Sequence, residues 1–328
     1  MKKLLLYSTG GFGDALVFTH LATLLKETEK YKNHQIDFCV NHDFGFQFGN
    51  GNNNDAFEIL KIQNNITDFV IFNRFEGTFT YPTGEIISVK TDSPYEHIYL
   101  QRDFYSDLGY IKSLFIEFIE EFGIVPNLGE TNFRLWTDNV PTIKEPIKHI
   151  ALPGELDWKN KWPGQEHKVK EIYKILTDRQ YTIEIIGPET GKSYLNNLRA
   201  LESCNLYIGP FGSIGHAAAG LGIDTITLSS IYSPIWDNPA FYHSGFHKGI
   251  VCAHSGHCGT FKCITPKYYY PKDPDPLFYG PPVIEWNTPW IENCPYTKNG
   301  KSCVSNVEVQ EFITALDQWE ELNGIRNS

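Results

Sequence analysis

Short apolar segments alternate with amphipathic, helix-like segments along most of the chain, and two of the apolar segments lead directly into glycine turns. Strands that alternate with helices at this spacing are typical of parallel α/β sheets, because each return to a parallel strand needs a crossover. The alternation lapses between Pro126 and Pro146 and then resumes. The sequence therefore predicts an α/β protein with two Rossmann-like domains that face each other across a cleft.

The same pattern gives expected domain boundaries. A first domain is expected over residues 1–140, a second over 146–305, and an amphipathic closing helix over 306–328. Within the second domain, residues 231–304 are rich in proline, glycine, tyrosine and cysteine, which predicts irregular structure. The part of this stretch that holds five cysteines, 250–304, is expected to be a metal-binding segment.

Two helices of the first domain are expected from apolar residues at helical spacing. One continuous helix is predicted across residues 17–25, which carry four such residues. A second is predicted over 106–122, where one stripe of leucine, isoleucine and phenylalanine follows the helical period. Gly123 stands directly after it, where a left-handed C-terminal cap is expected.

The charge balance argues against one class of function. The chain has 28 basic and 39 acidic residues, a net charge of −11, which argues against a general binder of nucleic-acid backbones. No apolar run approaches the roughly 20 residues needed to span a bilayer, and the apolar start is too short for a signal peptide. We therefore expect a cytoplasmic protein without a membrane span.

The first glycine turn lies between the first strand and the first helix and contains the residues Gly11, Phe12, Gly13 and Asp14. In open α/β sheets, ligands bind beyond the carboxyl ends of the strands, where this turn lies. It is not the dinucleotide fingerprint, because Leu16 occupies the position of the third glycine. Asp14 is a candidate general base at the floor of the cleft, or else an acid that caps the helix.

The second glycine turn follows the strand at 205–208 and runs into a helix of small residues. Its candidate binding residues are Gly212, Ser213, Ile214, Gly215 and His216. Free backbone N–H groups and the helix dipole at such a helix start suit a diphosphate. Alternatively, the small residues serve close helix–sheet packing, and the histidine is a satisfied, half-buried side chain.

A third candidate is Lys161, which stands beside a Trp-Pro turn after the first strand of the second half. It can reach a phosphate as a point charge, or it is a solvated loop lysine. The segment 187–193 looks like a phosphate loop, but only three residues separate its glycines where four are required, so we reject nucleoside-triphosphate hydrolysis.

Cysteines cluster in the last quarter of the chain. Thiolates in two groups, each close together in sequence, suit a tetrahedral structural iron or zinc site. Four of the five cysteines in this quarter would bind the metal. Buried thiols without a metal are the alternative. The five candidates are Cys252, Cys258, Cys263, Cys294 and Cys303.

These motifs resemble the heptosyltransferase-like glycosyltransferases of the GT-B fold. The family opens with a glycine loop ending in Gly-Asp, has a Lys-Arg-Trp-Pro-like loop at the start of its second domain, and carries Asp-Ser/Thr-Gly-x-x-His-x-Ala-Ala there. The corresponding positions here are Gly13-Asp14, Asn160-Lys161-Trp162-Pro163 and the run from Phe211 to Ala219. The cysteine-bearing tail looks like that of bacterial autotransporter heptosyltransferases, which carry a cysteine-bound iron.

The resemblance implies a transferase that uses a nucleotide-activated sugar, ADP-heptose in the best-known members, without a catalytic divalent metal. Asp14 would activate the acceptor hydroxyl, while Lys161 and the backbone of 212–216 would hold the donor diphosphate. One position departs from the family: its acidic residue at the start of the second turn is Phe211 here. This departure leaves the sugar, its binding mode and the activity itself open.

The sequence thus predicts a glycosyltransferase with a nucleotide-sugar donor on the second domain and a protein or glycan hydroxyl acceptor on the first. A non-catalytic nucleotide-sugar-binding or assembly protein of the same fold is the alternative from a different class. A nucleotide-sugar epimerase and a glycosyltransferase acting on DNA bases are two more. The aromatic residues of the tail are candidates for a contact in a homo-oligomer.

Overall fold

The computed structural model describes residues 2–8, 12–41, 63, 65–73, 76–81, 83–88, 93–100, 122–123, 148–155, 158, 164–210, 213–228, 249–252, 267–269, 283–285 and 307–325. The chain divides into two compact units. The first comprises 1–131, 135–138 and 266–286, and the second 132–134, 139–265 and 287–328. The predicted boundaries at 140, 146 and 305 stay predictions, because residues 124–147 and 286–306 lie outside the described residues.

The first unit is built on a mixed sheet whose strands are β1 (Lys3–Ser8), β2 (Gln35–Asn41), β3 (Asp68–Asn73), β4 (Thr78–Thr80), β5 (Ile86–Ser88) and β6 (His97–Leu100). The strand order is β5-β4-β3-β2-β1-β6. The four strands from β3 to β6 in this order are parallel, and the hairpin β4–β5 adds two antiparallel strands at one edge. β1 is buried on both faces, which explains its continuous apolar sequence.

Two short helices follow β1, namely α1 (Phe12–Phe18) and α2 (His20–Lys26). The prediction of one continuous helix here is wrong, because the helix is interrupted at Thr19. Thr19 keeps helical backbone angles, and its N–H donates to the Ala15 carbonyl oxygen at 3.0 Å while its hydroxyl donates to the Leu16 carbonyl oxygen at 2.6 Å, so the interruption is slight.

Aromatic contacts hold these helices against the sheet. The Phe18 ring stacks on Tyr99 with centroids 5.6 Å apart and contacts Phe38 at 5.8 Å. Phe122 packs edge-on against Tyr99 at 5.2 Å. Gly123 follows it with φ +64°, which confirms the predicted left-handed cap; the predicted helix at 106–121 lies outside the described residues.

The second unit is built on a five-stranded, fully parallel sheet. Its elements in chain order are β7 (His149–Pro153), α3 (Glu166–Asp178), β8 (Thr182–Ile186), α4 (Tyr194–Glu202), β9 (Leu206–Pro210), α5 (Ser213–Gly220), β10 (Asp224–Leu228), β11 (Gly249–Cys252) and α6 (Val309–Leu322). The strand order is β11-β10-β9-β7-β8. The alternation of strands and helices predicted for this half is confirmed.

One expectation for this half needs correction. Residues 231–304 were expected to be irregular, but 249–252 form β11, the fifth strand of the sheet. The same stretch contains the antiparallel pair β12 (Lys267–Tyr269) and β13 (Val283–Glu285). These strands are three or four residues long, too short for alternation to be detected against proline-rich flanks.

The two faces of the parallel sheet differ in composition. One face is aliphatic and packs against α3 and α6 through residues such as Ile150, Leu206 and Ile226. The opposite face, which packs against α5, presents Tyr207, Gly209 and the buried Thr225 and Thr227. Small and polar side chains on this face allow the small-residue helix α5 to approach closely.

The closing helix α6 belongs to the second unit. It begins with a reciprocal capping box, in which the Glu308 N–H donates to the Glu311 carboxylate at 2.6 Å. The Lys168 ammonium on α3 donates to the Val307 carbonyl oxygen at 2.8 Å. Trp319 is buried and donates from Nε1 to Asp224 Oδ2 at 2.8 Å. The predicted amphipathic closing helix is therefore present and is held at both ends.

Candidate functional site

Strand order alone indicates where each sheet binds a ligand. In the first sheet, β1 has β2 on one side and β6, which follows β5 in the chain, on the other, so the strand order reverses between β1 and β6. In the second sheet, β8 lies on one side of β7 and β9 on the other, so the order reverses between β7 and β9. In open parallel sheets, such switch points leave a crevice at the carboxyl ends of the strands, and ligands bind there. The two glycine turns singled out in the sequence follow β1 and β9, so each turn adjoins the switch point of its own sheet.

The first turn leads from Ser8, the last residue of β1, to Phe12, the first residue of α1. Phe12 and Gly13, which were predicted to lie in the glycine turn before the helix, are therefore helical, and Asp14 lies with them in the first turn of α1. Gly11 lies outside the described residues. Only the backbones of Phe12 and Asp14 are described. The fully buried Ala15 fixes α1 against the sheet directly after them.

The second turn leads from Pro210, the last residue of β9, into α5. Ser213, Ile214 and Gly215 are the first three residues of α5, so their N–H groups have no partner one turn earlier in the helix. The N-terminal end of the helix dipole adds partial positive charge there. His216 follows as a buried residue, and Gly212 lies outside the described residues.

The small residues of α5 also have a packing role. Ala217, Ala218 and Ala219 are completely buried against the sheet and neighbouring helices. Across from them, β9 places Gly209 in register with Thr227 of β10. Close helix–sheet packing therefore accounts for the alanines, whereas the first turn of α5 lies at the carboxyl edge, where its N–H groups can meet a ligand.

Glu189 is a candidate functional residue that sequence reasoning missed. It lies in a short 3₁₀ turn (Pro188–Thr190) directly after β8, and its side chain is exposed. A Cβ on Gly154 would overlap its carboxylate, and a Cβ on Gly187 would come within 2.7 Å of Oε2. Because Gly154 follows β7 and Gly187 follows β8, this carboxylate lies at the carboxyl ends of two adjacent strands.

The side chain of Asn197 fixes the turn that carries Glu189. Its Oδ1 accepts from the Gly187 N–H at 3.2 Å, and its Nδ2 donates to the Gly187 carbonyl oxygen at 3.3 Å. Burial, followed by the negative charge of Glu189, raises the pKa of Tyr173 on α3 to about 12. The signal in the sequence is a Gly-Pro-Glu directly after a strand, within the segment 187–193 that resembles an incomplete phosphate loop.

The remaining candidates lie mostly outside the described residues. Lys161 is among them, although the nearby Trp158 is described and is buried in the core. Of the five cysteines, Cys252 ends β11 with only its backbone described, and Cys258, Cys263, Cys294 and Cys303 lie outside. The described part of the chain holds no group of three or more histidine, cysteine or carboxylate residues able to bind a metal.

Comparison with solved structures places this architecture among known folds. The structure of a glycosyl transferase family 9 protein from Veillonella parvula DSM 2008 matches with a TM-score of 0.56 and 12% identity, over 97% of this chain and 96% of that one. The protein has the fold of a family 9 glycosyltransferase. The resemblance to heptosyltransferase-like GT-B enzymes, predicted from the motifs, is confirmed at the level of the fold.

Another match is the structure of the iron-containing dodecameric glycosyltransferase TibC from enterotoxigenic E. coli H10407. It matches with a TM-score of 0.55 and 14% identity, over 98% of this chain and 76% of that one. A structure of TibC in complex with ADP-D-β-D-heptose matches with a TM-score of 0.53 and 14% identity, over the same shares of the two chains. Neither a scan against protein-family models nor a search of curated proteins found a match to the sequence.

Proposed function

We propose that the protein is a glycosyltransferase that moves a sugar from a nucleotide-diphosphate donor to a hydroxyl group of a protein or glycan. The observation that supports this most is the family 9 fold over nearly the whole chain, combined with a glycine turn beside each switch point. ADP-heptose is the first donor to test, because TibC has been crystallised with it.

In this proposal the donor binds at the carboxyl edge of the second sheet. The N–H groups of Ser213, Ile214 and Gly215 bind the diphosphate, and Lys161 adds a positive charge. Glu189 accepts hydrogen bonds from hydroxyl groups of the donor, since its carboxylate lies at the ends of β7 and β8 in an exposed residue. The N–H groups of the turn and Lys161 also stabilise the negative charge that develops on the leaving phosphate.

The acceptor binds at the first turn, where Asp14 is the general base. Asp14 takes the proton of the acceptor hydroxyl as its oxygen bonds to the anomeric carbon of the sugar. The bond between that carbon and the diphosphate oxygen breaks, and its electron pair leaves with the nucleoside diphosphate. Phe211 stands where the family has an acid, so the sugar is bound with one fewer carboxylate than in relatives that keep it.

The cysteine-rich tail is proposed to hold one structural iron or zinc ion on four of its five cysteines. Thiolates in this arrangement suit either metal, and the ion would stabilise a segment poor in apolar core residues. Elemental analysis of purified protein should give about one metal per chain, reduced in at least one of Cys294→Ser and Cys258→Ser, because only one of the five cysteines is spare. Cys204→Ala, which changes a buried cysteine outside the group, should keep the metal. A wild-type protein with less than about half an equivalent would overturn this part.

Assembly and membrane association are separate questions. TibC is described as dodecameric, so we propose a homo-oligomer, which light scattering coupled to size exclusion would measure. Among the described residues, no helix has both the length and the apolar character that crossing a membrane requires.

The deciding experiment measures donor binding and sugar transfer in parallel. Wild-type protein and Asp14→Asn should bind ADP-heptose or another nucleotide sugar with similar affinity, while transfer in the variant falls by about a hundredfold or more. Asp178→Asn, an exposed acid on α3, is the matched control and should keep full activity. Binding without any product in wild type would support the non-catalytic alternative, and absence of binding would refute the proposed function.

A further inference from the structure

The Tyr207 side chain has an unusual position at the carboxyl edge of the second sheet. It is only 1% exposed and extends along β9 towards the glycine turn. A Cβ on Gly209 would overlap the Tyr207 hydroxyl oxygen and come within 2.7 Å of Cζ. The phenol ring therefore covers the backbone two residues further along the strand, and only glycine fits beneath it.

The same ring contacts the helix above it. The position of a Cβ on Gly215, in the first turn of α5, is 3.6 Å from Cε1 of Tyr207. The Tyr207 hydroxyl lies 3.5 Å from the carbonyl oxygen of Pro210, the last residue of β9. That carbonyl oxygen is also 3.9 Å from the Gly215 Cβ position, so it faces the interface between strand and helix.

Neighbouring strands leave the ring little room to move. Pro153, at the end of β7, places its Cδ 2.9 Å from the Gly209 Cβ position. On the other side, β10 pairs Thr225 with Tyr207 and Thr227 with Gly209, and both threonines are buried. In a close-packed interior, a ring confined in this way passes its position on to the groups that contact it.

We propose that Tyr207 is a positioning residue for the donor site. Its ring, supported on Gly209, sets where the strand ends at Pro210 and where the first turn of α5 begins. It thereby holds the N–H groups of that turn in the geometry that binds a diphosphate. This inference rests on the proposed function for the identity of the ligand, but not for the packing itself.

The test uses binding of ADP, measured by calorimetry, to full-length variants well below their melting temperatures. Gly209→Ala and Tyr207→Leu should each raise the Kd for ADP about tenfold. Because both substitutions act through one contact, the double variant should also raise the Kd about tenfold, whereas two independent sites would raise it about a hundredfold. Tyr207→Phe keeps the ring and should stay within about threefold, since the hydroxyl contact is long. A Kd unchanged in either single variant, or a hundredfold loss in the double variant, would overturn the proposal.

A control separates positioning from general stability. Tyr181→Phe removes a hydroxyl that bonds Glu320, away from the glycine turn, so it should lower the melting temperature and leave the Kd unchanged. Hydrogen exchange of residues 206–216 without ligand should quicken in Gly209→Ala and Tyr207→Leu but not in Tyr181→Phe. If the wild type binds none of ADP, UDP, GDP and CDP, the proposed function fails, and the exchange measurement alone decides the role of Tyr207.

Discussion

The Tyr181 hydroxyl donates a 2.8 Å hydrogen bond to Oε1 of Glu320 and thereby joins the segment that enters β8 to the last helix, 139 residues later. Oε2 of the same carboxylate accepts from Arg179 Nη1 at 2.9 Å, and this guanidinium also contacts Asp317 at 2.8 Å. Glu320 is only 4% exposed, so its charge is neutralised by partners and not by water. The closing helix is therefore fastened to the sheet by a partly buried polar cluster in addition to its apolar face.

We expect Glu320→Ala to destabilise the protein by about 3 kcal/mol, because it removes the acceptor of the buried Tyr181 hydroxyl and of the partly buried Arg179 guanidinium and leaves a void. Urea unfolding followed by fluorescence measures the difference. Glu321→Ala changes the exposed neighbour on the same helix and should stay within about 0.5 kcal/mol of wild type. Equal losses in the two variants would show that the cluster contributes nothing specific.

Three of the strands that sequence analysis identified are buried on both faces. β1, β7 and β9 read as continuous apolar runs because helices cover both sides of a parallel sheet, and this signal needs no tertiary information. The hairpin β4–β5 and the strand β11 were missed, since they have only three or four residues each. The interruption of the first helix at Thr19 is confined to one residue, which the periodicity of apolar residues does not record.

The candidate site, like the fold, was predicted from the sequence only in part. Its two glycine turns were predicted, because glycine directly after a strand is a local signal. Glu189 was not, since its significance depends on β7 and β8 ending side by side, with glycines at 154 and 187 leaving space for the carboxylate. The role of Tyr207 was likewise hidden, because the residue looks like any other aromatic side chain in a buried strand.

Replacing Glu189 by glutamine should weaken donor binding without affecting folding. The variant keeps the shape but loses a charged acceptor, so we expect the Kd for the nucleotide sugar to rise about tenfold. The melting temperature should stay unchanged, as the side chain is exposed. Calorimetry with wild type, Glu189→Gln and Glu171→Gln, an exposed control on α3, measures both effects. Binding that is equal in all three would remove Glu189 from the proposed site.

Asp37 in β2 is a buried carboxylate in a small polar network. Its Oδ1 accepts from Gln35 Nε2 at 3.1 Å, and its Oδ2 accepts from the Tyr95 hydroxyl at 3.0 Å. The Tyr95 hydroxyl in turn pairs with that of Tyr81 at 2.7 Å. Burial raises the pKa of Asp37, and these hydrogen bonds and the nearby Lys3 offset this only partly.

The raised pKa of Asp37 has a defined consequence for stability. The folded protein holds this proton to higher pH than the unfolded chain, so stability is greatest below the ordinary pKa and is lost as the pH rises through the folded value. Asp37→Asn stays neutral and fits the network, since the tyrosine pair can reverse its donor direction. Urea unfolding at about pH 4 to 7 should show that the free energy of unfolding of the variant increases relative to that of wild type as the pH increases. A difference independent of pH would contradict the raised pKa.

His20, the first residue of α2, predicts the opposite dependence. Burial lowers its pKa to about 4, so the folded protein keeps the imidazole neutral where the unfolded chain protonates it. Its contribution is therefore complete above the ordinary pKa of 6.5 and is lost as the pH falls towards 4, by up to about 1.4 kcal/mol per pH unit. The glutamine side chain of the His20→Gln variant cannot be protonated. As the pH falls from about 7 to 4, the free energy of unfolding of this variant should therefore rise by about 3 kcal/mol relative to that of wild type. His167→Gln, which changes an exposed histidine on α3, is the matched control. Parallel pH profiles for wild type and His20→Gln would show that the imidazole is solvated in the folded protein.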